Sequence, residues 1–342
     1  MGMIDIQEKV NLAPYHSFGI EEYARWFTRI SQADQLIALL QHPLFHKEPH
    51  LILGGGSNVL FTRPFEGLIA RIELKGIEII RNDDNKVWIK AAAGENWHEL
   101  VMFCVQHNYG GIENLSLIPG MAGAAPIQNI GAYGVELAEV LEEVEGIDLT
   151  TGSKRTIPAQ DCRFGYRDSI FKQELKGKFL ISSITLRLTR NRHHLRTSYG
   201  TIADTLKAMN ITHPTIQDIS RAVIAIRSSK LPDPKRLGNA GSFFKNPVVA
   251  VAQYNALKEK HPDIPGFIVD NQQVKIPAAW LIEQCGWKGK RHGDAGVHVH
   301  QPLVLVNHGR ARGEEMLQLA LNIRDSVAEQ FNITLQPEVN II

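Results

Sequence analysis

Cysteine is scarce: Cys104, Cys162 and Cys285 are the only three in 342 residues, far apart and with no C-x-x-C spacing. An odd, scattered set leaves no disulfide framework to read and fits reduced thiols filling core positions in a cytoplasmic protein. Charge of one sign is lacking too. Lys and Arg number 37 against 36 Asp and Glu, a net charge of +1, which excludes a general nucleic-acid binder but leaves room for local basic clusters that hold a phosphorylated small molecule. No stretch approaches the ~20 apolar residues of a membrane span. Met1–Val10 carries Asp5, Glu8 and Lys9 without an apolar run, so no secretory leader is expected. There is no internal repeat and no low-complexity tract. His298 and His300 have no third ligand at helical spacing nearby, so no metal site is expected.

What is present is the composition of a folded protein, 44% hydrophobic and 21% charged, long enough for two or three domains. Leu36, Leu39 and Leu40 give helical spacing over Ser31–Gln41, with Ser31 as the cap. Further helices are predicted from Trp97 to about His107, over Thr215–Ser228, Ala250–His261 and Pro277–Gly286, with Pro277 in a first turn, and over Gly313–Phe331. Strands are predicted at Leu51–Leu53, Leu68–Ile72, Val87–Ala93, Glu143–Leu149, Phe179–Leu188, Leu303–Val306 and in the apolar ending Ile333–Ile342. Ser229–Lys235, with two prolines in three residues, marks a domain boundary. Lys230 and Lys235 lie on it, where a ligand cleft is usual.

Four stretches carry chemistry. Gly54–Asn58, Gly-Gly-Gly-Ser-Asn after a short strand, suggests a loop whose amides face a phosphate, or else a plain tight turn. It lacks the Gly-Lys-Ser/Thr of a P-loop and the third glycine of the dinucleotide fingerprint. Ile118–Gly134 contains four glycines, two prolines and four alanines. It keeps neither a helix nor a strand period, and its lack of bulk suits a wall along a flat ligand; a buried crossover is the alternative. In Cys162–Ser169, Arg163 and Arg167 stand four apart beside Tyr166. They suit a carboxylate or phosphate, or form a surface ion-pair loop. Gly238–Pro247 holds Ser242 after small, turn-forming residues and before Phe243 and Phe244, two aromatics that would wall a hydroxyl able to deliver a proton. An ordinary glycine turn is the alternative there. Glu338, in the apolar ending, is either edge-exposed or buried with a purpose.

Taken in order, these blocks resemble the UDP-N-acetylenolpyruvoylglucosamine reductase (MurB) family in its longer, type I form. The matching segments are Leu53–Leu60, Ala93–Trp97, Ile118–Gly120 with Pro126–Gly134, Cys162–Ser169, Lys230–Pro234, Gly241–Pro247 and Leu335–Glu338. The resemblance implies an α+β protein: a two-part FAD-binding domain of the vanillyl-alcohol-oxidase (PCMH) type over residues 1–228, divided near 75. An α/β substrate-binding domain over 229–325 and a returning tail over 326–342 follow. It implies a cytoplasmic monomer of peptidoglycan synthesis with non-covalent FAD and NADPH as hydride donor, acting on UDP-N-acetylglucosamine enolpyruvate, with no membrane partner. By the same resemblance Ser242 matches the proton donor, and Glu338 and Arg167 the other catalytic positions. Gly54, Gly55, Gly56, Ser57 and Asn58 match the pyrophosphate loop. Ile118, Pro119, Gly120, Gly123, Ala124, Ala125, Gln128, Asn129, Gly131, Tyr133 and Arg227 match the flavin surroundings. Tyr199, Lys230, Asn246, Phe267, Lys288 and Gln301 match positions holding the sugar nucleotide.

Three positions depart from the family pattern. Ala124 and Ala125 stand where serines are frequent, so backbone amides would carry more of the cofactor contact. Phe267 stands near a tyrosine that closes over the nucleotide, and Asn340 replaces an arginine. An FAD-dependent oxidase of similar fold, or a nucleotide-sugar sensor without flavin, are the rival readings.

Overall fold

In the computed structural model, which describes residues 3–342, the chain divides into two compact units. The first contains Ala24–Gly56 and Glu66–Ser229 with the N-terminal segment ending at Val10; the second gathers Asn11–Tyr23, Ser57–Phe65 and Lys230–Ile342.

The first unit is built on two sheets. One has the order Ile6–Asn11, Tyr23–Ile30, Phe65–Ile72, His50–Leu53, and its last pair is parallel. Leu68, Ile69 and Ala70 are fully buried, as an apolar run covered on both faces must be. The other sheet is antiparallel, in the order Lys154–Pro158, Leu141–Asp148, Phe179–Thr189, Lys86–Ala92, Ile77–Asn82. Val144, Ile184 and Ala91 lie in register across its three central strands, all fully buried. The helix Trp97–Gln106 buries Trp97, Leu100, Val101, Cys104 and Val105, one stripe at helical spacing. Asn96 caps it by accepting the Glu99 amide at 3.1 Å. Burial raises the Cys104 thiol well above its ordinary value and pushes Cys162 up to about 12, so both are inert packing groups.

The second unit has the four-stranded order Gly238–Ser242, Val304–Asn307, Ala295–Val297, Arg291–His292 and a three-stranded sheet Val248–Ala250, Gln273–Lys275, Phe267–Ile268. The helix Gly313–Phe331 buries Met316, Leu319, Ala320, Ile323 and Val327 along one side. These pack into a core shared with Phe18, Ile20, Leu60, Phe243, Phe244 and Ile282. Among the described residues no helix is long and apolar enough to cross a membrane.

Several expectations change in detail. Ser31 is no acceptor cap: its amide and hydroxyl both donate to Gln35 Oε1, and the helix begins at Ala33 after Gln32. Pro277 is the N-cap of Ala278–Gln284, one position outside the first turn. The apolar ending forms a strand only at Asn340–Ile341, parallel to Val59–Leu60. Ile118–Gly134 is not wholly irregular, since Ala122–Gln128 makes a 3₁₀ helix. Its period of three and the internal Pro126 hide it from a 3.6-residue pattern.

His16 ties pH to the stability of the second unit. It is 6% exposed, its Nε2 meets the Ile20 carbonyl at 3.0 Å, and its buried Nδ1 has no partner. Burial lowers its pKa, with the Ile20 carbonyl opposing. The unfolded chain therefore binds a proton that the folded chain resists, and stability falls as pH drops below about 6.5. Urea unfolding of His16→Gln is expected to show a shallower loss between pH 7 and 5 than the unsubstituted protein.

Candidate cofactor and catalytic sites

In the first unit the strand His50–Leu53 runs into Gly54–Gly56, where Gly56 takes φ +62°. A Cβ on Gly55 would lie 3.2 Å from the Gly120 Cα and 3.4 Å from the Met121 Cγ, so the glycine loop lies close against the Gly120 main chain and the Met121 side chain. The Gly120 segment is held in turn by the main chain leading into the helix Trp97–Gln106. Trp97 N donates to Gly120 O at 3.0 Å, Ala122 N to Glu95 O at 2.8 Å and Gly123 N to Ala93 O at 2.9 Å. A Cβ on Gly123 would meet the Ala93 Cβ at 2.5 Å, so only glycine fits. Ala125 is buried, whereas Ala124 is half-buried and lies where a Gly54 Cβ would touch it at 3.7 Å. The 125 position therefore serves the core.

Just upstream, Leu117 adopts φ +60°, a left-handed conformation that costs a side-chain-bearing residue about 1–2 kcal/mol. Its amide donates to His98 Nδ1 at 3.0 Å and its carbonyl accepts from Arg227 Nε at 3.3 Å. Burial lowers the Arg227 pKa; Tyr133 opposes this and the Arg167 charge adds to it. Neighbouring cations of this kind favour an anionic ligand. Asn129 is used internally: it donates to Glu136 Oε2 and the Gly165 carbonyl and accepts from Ala138 N. Tyr133 (φ +51°) has its carbonyl held by buried Asn114 at 3.0 Å, and its ring meets the half-exposed Tyr199 edge-on at 6.5 Å. Pro119 is exposed; Ile118 and Gln128 are half-buried.

The two arginines of Cys162–Ser169 part company. Arg163 pairs with Glu174 on the surface, the plain ion-pair alternative. Arg167 is half-buried and turned onto the Ile118–Gly134 segment, donating from Nη2 to Gly131 O at 2.8 Å.

In the second unit, Ser242 is aimed by a bulge. The pairing of Gly238–Ser242 with Val304–Asn307 slips between Asn239 and Ser242, and Gly241 turns through φ +69°. Such a bulge redirects the side chain that follows. Buried Asn239 fixes the turn by accepting the Gly241 amide at 2.9 Å and donating to the Pro232 and Leu237 carbonyls. Phe243 and Phe244 do not wall the serine; both are buried in the core, 5.1 Å apart and edge to face, and anchor the strand beneath it. Glu338 N donates to Phe243 O at 2.8 Å, which brings the Glu338 main chain within one residue of Ser242. Asn58 Nδ2 donates to the Glu338 carbonyl at 3.2 Å, and Asn340 Nδ2 to the Asn58 carbonyl at 2.9 Å. Asn340 thus ties the tail to the glycine loop's end. The sequence marked neither Asn239 nor His98; an asparagine two places before a glycine is the turn signal that could have found the first.

The remaining positions are more exposed. Asn246 Oδ1 accepts the Ala278 amide at 2.9 Å and so caps Ala278–Gln284. Lys288 pairs with Glu283 at 2.7 Å, Gln301 Oε1 accepts the Leu303 amide at 3.4 Å, and Lys230 is exposed. Phe267 is 57% exposed on an outer strand of its sheet, paired with Lys275 of the central strand.

Comparison with known proteins decides the family. Residues 233–342 match the family described as UDP-N-acetylenolpyruvoylglucosamine reductase, C-terminal domain, and residues 25–157 match FAD binding domain. The chain is 49% identical over 339 residues to the UDP-N-acetylenolpyruvoylglucosamine reductase of Amoebophilus asiaticus, covering 99% of this chain and all of the relative. It is 50% identical over 340 residues to that of Chromobacterium violaceum, covering 99% of both.

The chain belongs to the UDP-N-acetylenolpyruvoylglucosamine reductase family.

The family's crystal structure from Thermus caldophilus superposes over 99% of both chains with a TM-score of 0.69 at 22% identity, a likeness of fold. The architecture is accordingly an FAD-binding PCMH-type domain followed by the reductase C-terminal domain. The first unit suits FAD on its own geometry: Gly54–Gly56 and Gly120 bring close main chain with no side chains of their own, and Arg227 and Arg167 bring positive charge. Arg163 lies outside this arrangement, and an exposed pair is worth at most ~1 kcal/mol. Steady-state kinetics of Arg163→Ala should match the unsubstituted reductase, while Arg167→Ala loses most of its kcat. An equal loss in both would void the distinction.

Proposed function

We propose that Ser242 is the proton donor, and Glu338 and Arg167 the other catalytic groups, in the NADPH-dependent, FAD-mediated reduction of UDP-N-acetylglucosamine enolpyruvate to UDP-N-acetylmuramate. The chain is a flavoprotein oxidoreductase of peptidoglycan precursor synthesis, a UDP-N-acetylmuramate dehydrogenase. The observation that carries the residue roles is the 2.8 Å bond from Glu338 N to Phe243 O. It sets a carboxylate-bearing residue beside the strand of a serine whose own direction is fixed by a bulge.

The chemistry that FAD supplies when bound is hydride transfer from NADPH to the methylene carbon of the enol ether. Negative charge then grows on the adjacent carbon and its carboxylate. The Arg167 guanidinium opposes that charge, and a preorganised cation lowers such a barrier without reorganising. Glu338 assists only as a hydrogen-bond donor, since an ionised carboxylate would repel the charge. The Ser242 hydroxyl delivers the proton to carbon. A serine is a weak acid, but the charged intermediate is a strong base and the serine's fixed direction selects one face.

We assign FAD to the first unit through Gly54–Gly56, Ile118–Tyr133 and Arg227, with Ser57 and Asn58 continuing the pyrophosphate loop. Tyr199, Lys230, Asn246, Phe267, Lys288 and Gln301 hold the sugar nucleotide. Asn246 keeps its Nδ2 donor for this while Oδ1 caps a helix, and Lys288 exchanges Glu283 for the diphosphate. Unpaired thiols, two of them buried, accord with work in the cytoplasm.

Stopped-flow spectroscopy tests the serine. Anaerobic NADPH should bleach the flavin of Ser242→Ala at near the normal rate, while reoxidation by substrate slows by roughly 10²–10⁴-fold. Near-normal reoxidation would remove Ser242 from the mechanism. Fast reoxidation by oxygen with peroxide release, and none by the enolpyruvyl sugar, would favour the oxidase reading.

A further inference from the structure

Leu117 is the one strained joint immediately before Ile118–Gly120. The residues after it have little freedom: Pro119 disfavours the helical region for Ile118, and Gly120 is fixed through its carbonyl by Trp97 N at 3.0 Å. The adjustable element is the Leu117 peptide, held at φ +60°. Both its polar atoms are taken by side chains from helices on either side. His98, in the first turn of Trp97–Gln106, accepts its amide on Nδ1 at 3.0 Å. Arg227, near the end of Ile216–Lys230, donates to its carbonyl at 3.3 Å. A leucine at this φ would gain about 1–2 kcal/mol by returning to negative φ, so the two side-chain bonds oppose that return.

We propose that His98 is a positioning residue of this reductase: its neutral imidazole, accepting the Leu117 amide opposite Arg227, holds the Ile118–Gly120 main chain in the conformation that binds FAD. This rests on the reading of Ile118–Gly120 as flavin-facing. A proton on Nδ1 turns the acceptor into a donor aimed at an N–H, so the grip fails when His98 is protonated. The charged groups facing His98 are Arg227 on Ile216–Lys230, which resists protonation, and Glu99 on its own helix, which favours it; Leu115–Gly120 brings none. Burial is the largest influence and lowers the pKa, so the grip persists through neutral pH and fails below the ordinary histidine range.

The test uses the full chain stripped of flavin. Amide exchange of the peptide containing Leu117 and the FAD dissociation constant are measured at pH 8 and pH 5. In the unsubstituted protein, Leu117 protection and FAD affinity both drop at pH 5. His98→Ala exchanges quickly and binds FAD roughly tenfold more weakly at pH 8, the size expected for one hydrogen bond that sets a conformation. His98→Asn places a carboxamide Oδ1 where Nδ1 was and does not titrate, so it restores protection and its affinity is much less dependent on pH. Unchanged affinity and protection in His98→Ala, or a pH-dependent loss in His98→Asn equal to that of the unsubstituted protein, overturns the proposal. Failure of the unsubstituted chain to bind FAD at all would instead sink the flavin reading, and Leu117 exchange would still show whether the grip exists.

Discussion

The second unit's candidate chemistry depends on how the last residues are pinned by main-chain hydrogen bonds. Lys245 N donates to Gln336 O and Glu338 N to Phe243 O; then Asn340 N donates to Asn58 O and Ile342 N to Leu60 O. The tail thus pairs first with the segment after Ser242 and then with the strand that leaves the glycine loop, changing partner at Glu338. A residue at such a changeover has its backbone held from both sides, which fixes where its carboxylate begins. Bonds between main-chain groups depend little on side-chain identity, so the place of the Glu338 backbone depends little on the tail's side chains.

Asparagine recurs as the support of this framework. Asn239 fixes the turn before Ser242, Asn340 ties the tail, Asn129 braces the Ile118–Gly134 segment and Asn246 caps a helix. Each bonds main-chain groups at a turn or helix end: Asn239, Asn129 and Asn246 accept the Gly241, Ala138 and Ala278 amides, and Asn340 adds a second donor to the Asn58 carbonyl. A buried amide left without a partner would cost ~1–3 kcal/mol. Two residues expected to touch ligands, Asn129 and Asn246, therefore also have structural work. Asn129, with donors and acceptor all engaged inside the first unit, is the clearer case.

Much of this was legible in the sequence where one physical rule decides locally. The helix Gly313–Phe331 follows from its apolar spacing, and the glycine loop after Leu53 from its lack of side chains. Arg163 and Arg167 could not be told apart, because four-residue spacing fixes neither side chain's neighbours; only folding turned one to Glu174 and the other to Gly131. Phe243 and Phe244 misled for the same reason: bulk beside a serine suggests walls, yet the core claims both rings. The grip of His98 on Leu117 was hidden because its partners come from separate helices and no local pattern records a left-handed leucine.

The discontinuity of the second unit bears on how the protein is made. Its core includes Phe18, Ile20 and Leu60 from early in the chain beside Ile282, Ile323 and Leu335 from late in it, and its closing strand joins residues some 280 positions apart. A ribosome emits the early pieces long before their partners exist, so they must wait, uncovered, while the intervening first unit folds on its own sheets. Late residues cut away from them would lack Leu12, Phe18, Ile20, Leu60 and Phe61, all buried, and the strand that Asn340–Ile341 needs. The early hydrophobes of this core are therefore synthesised well before the residues that cover them, and the acid-bearing tail is the last piece available to close it.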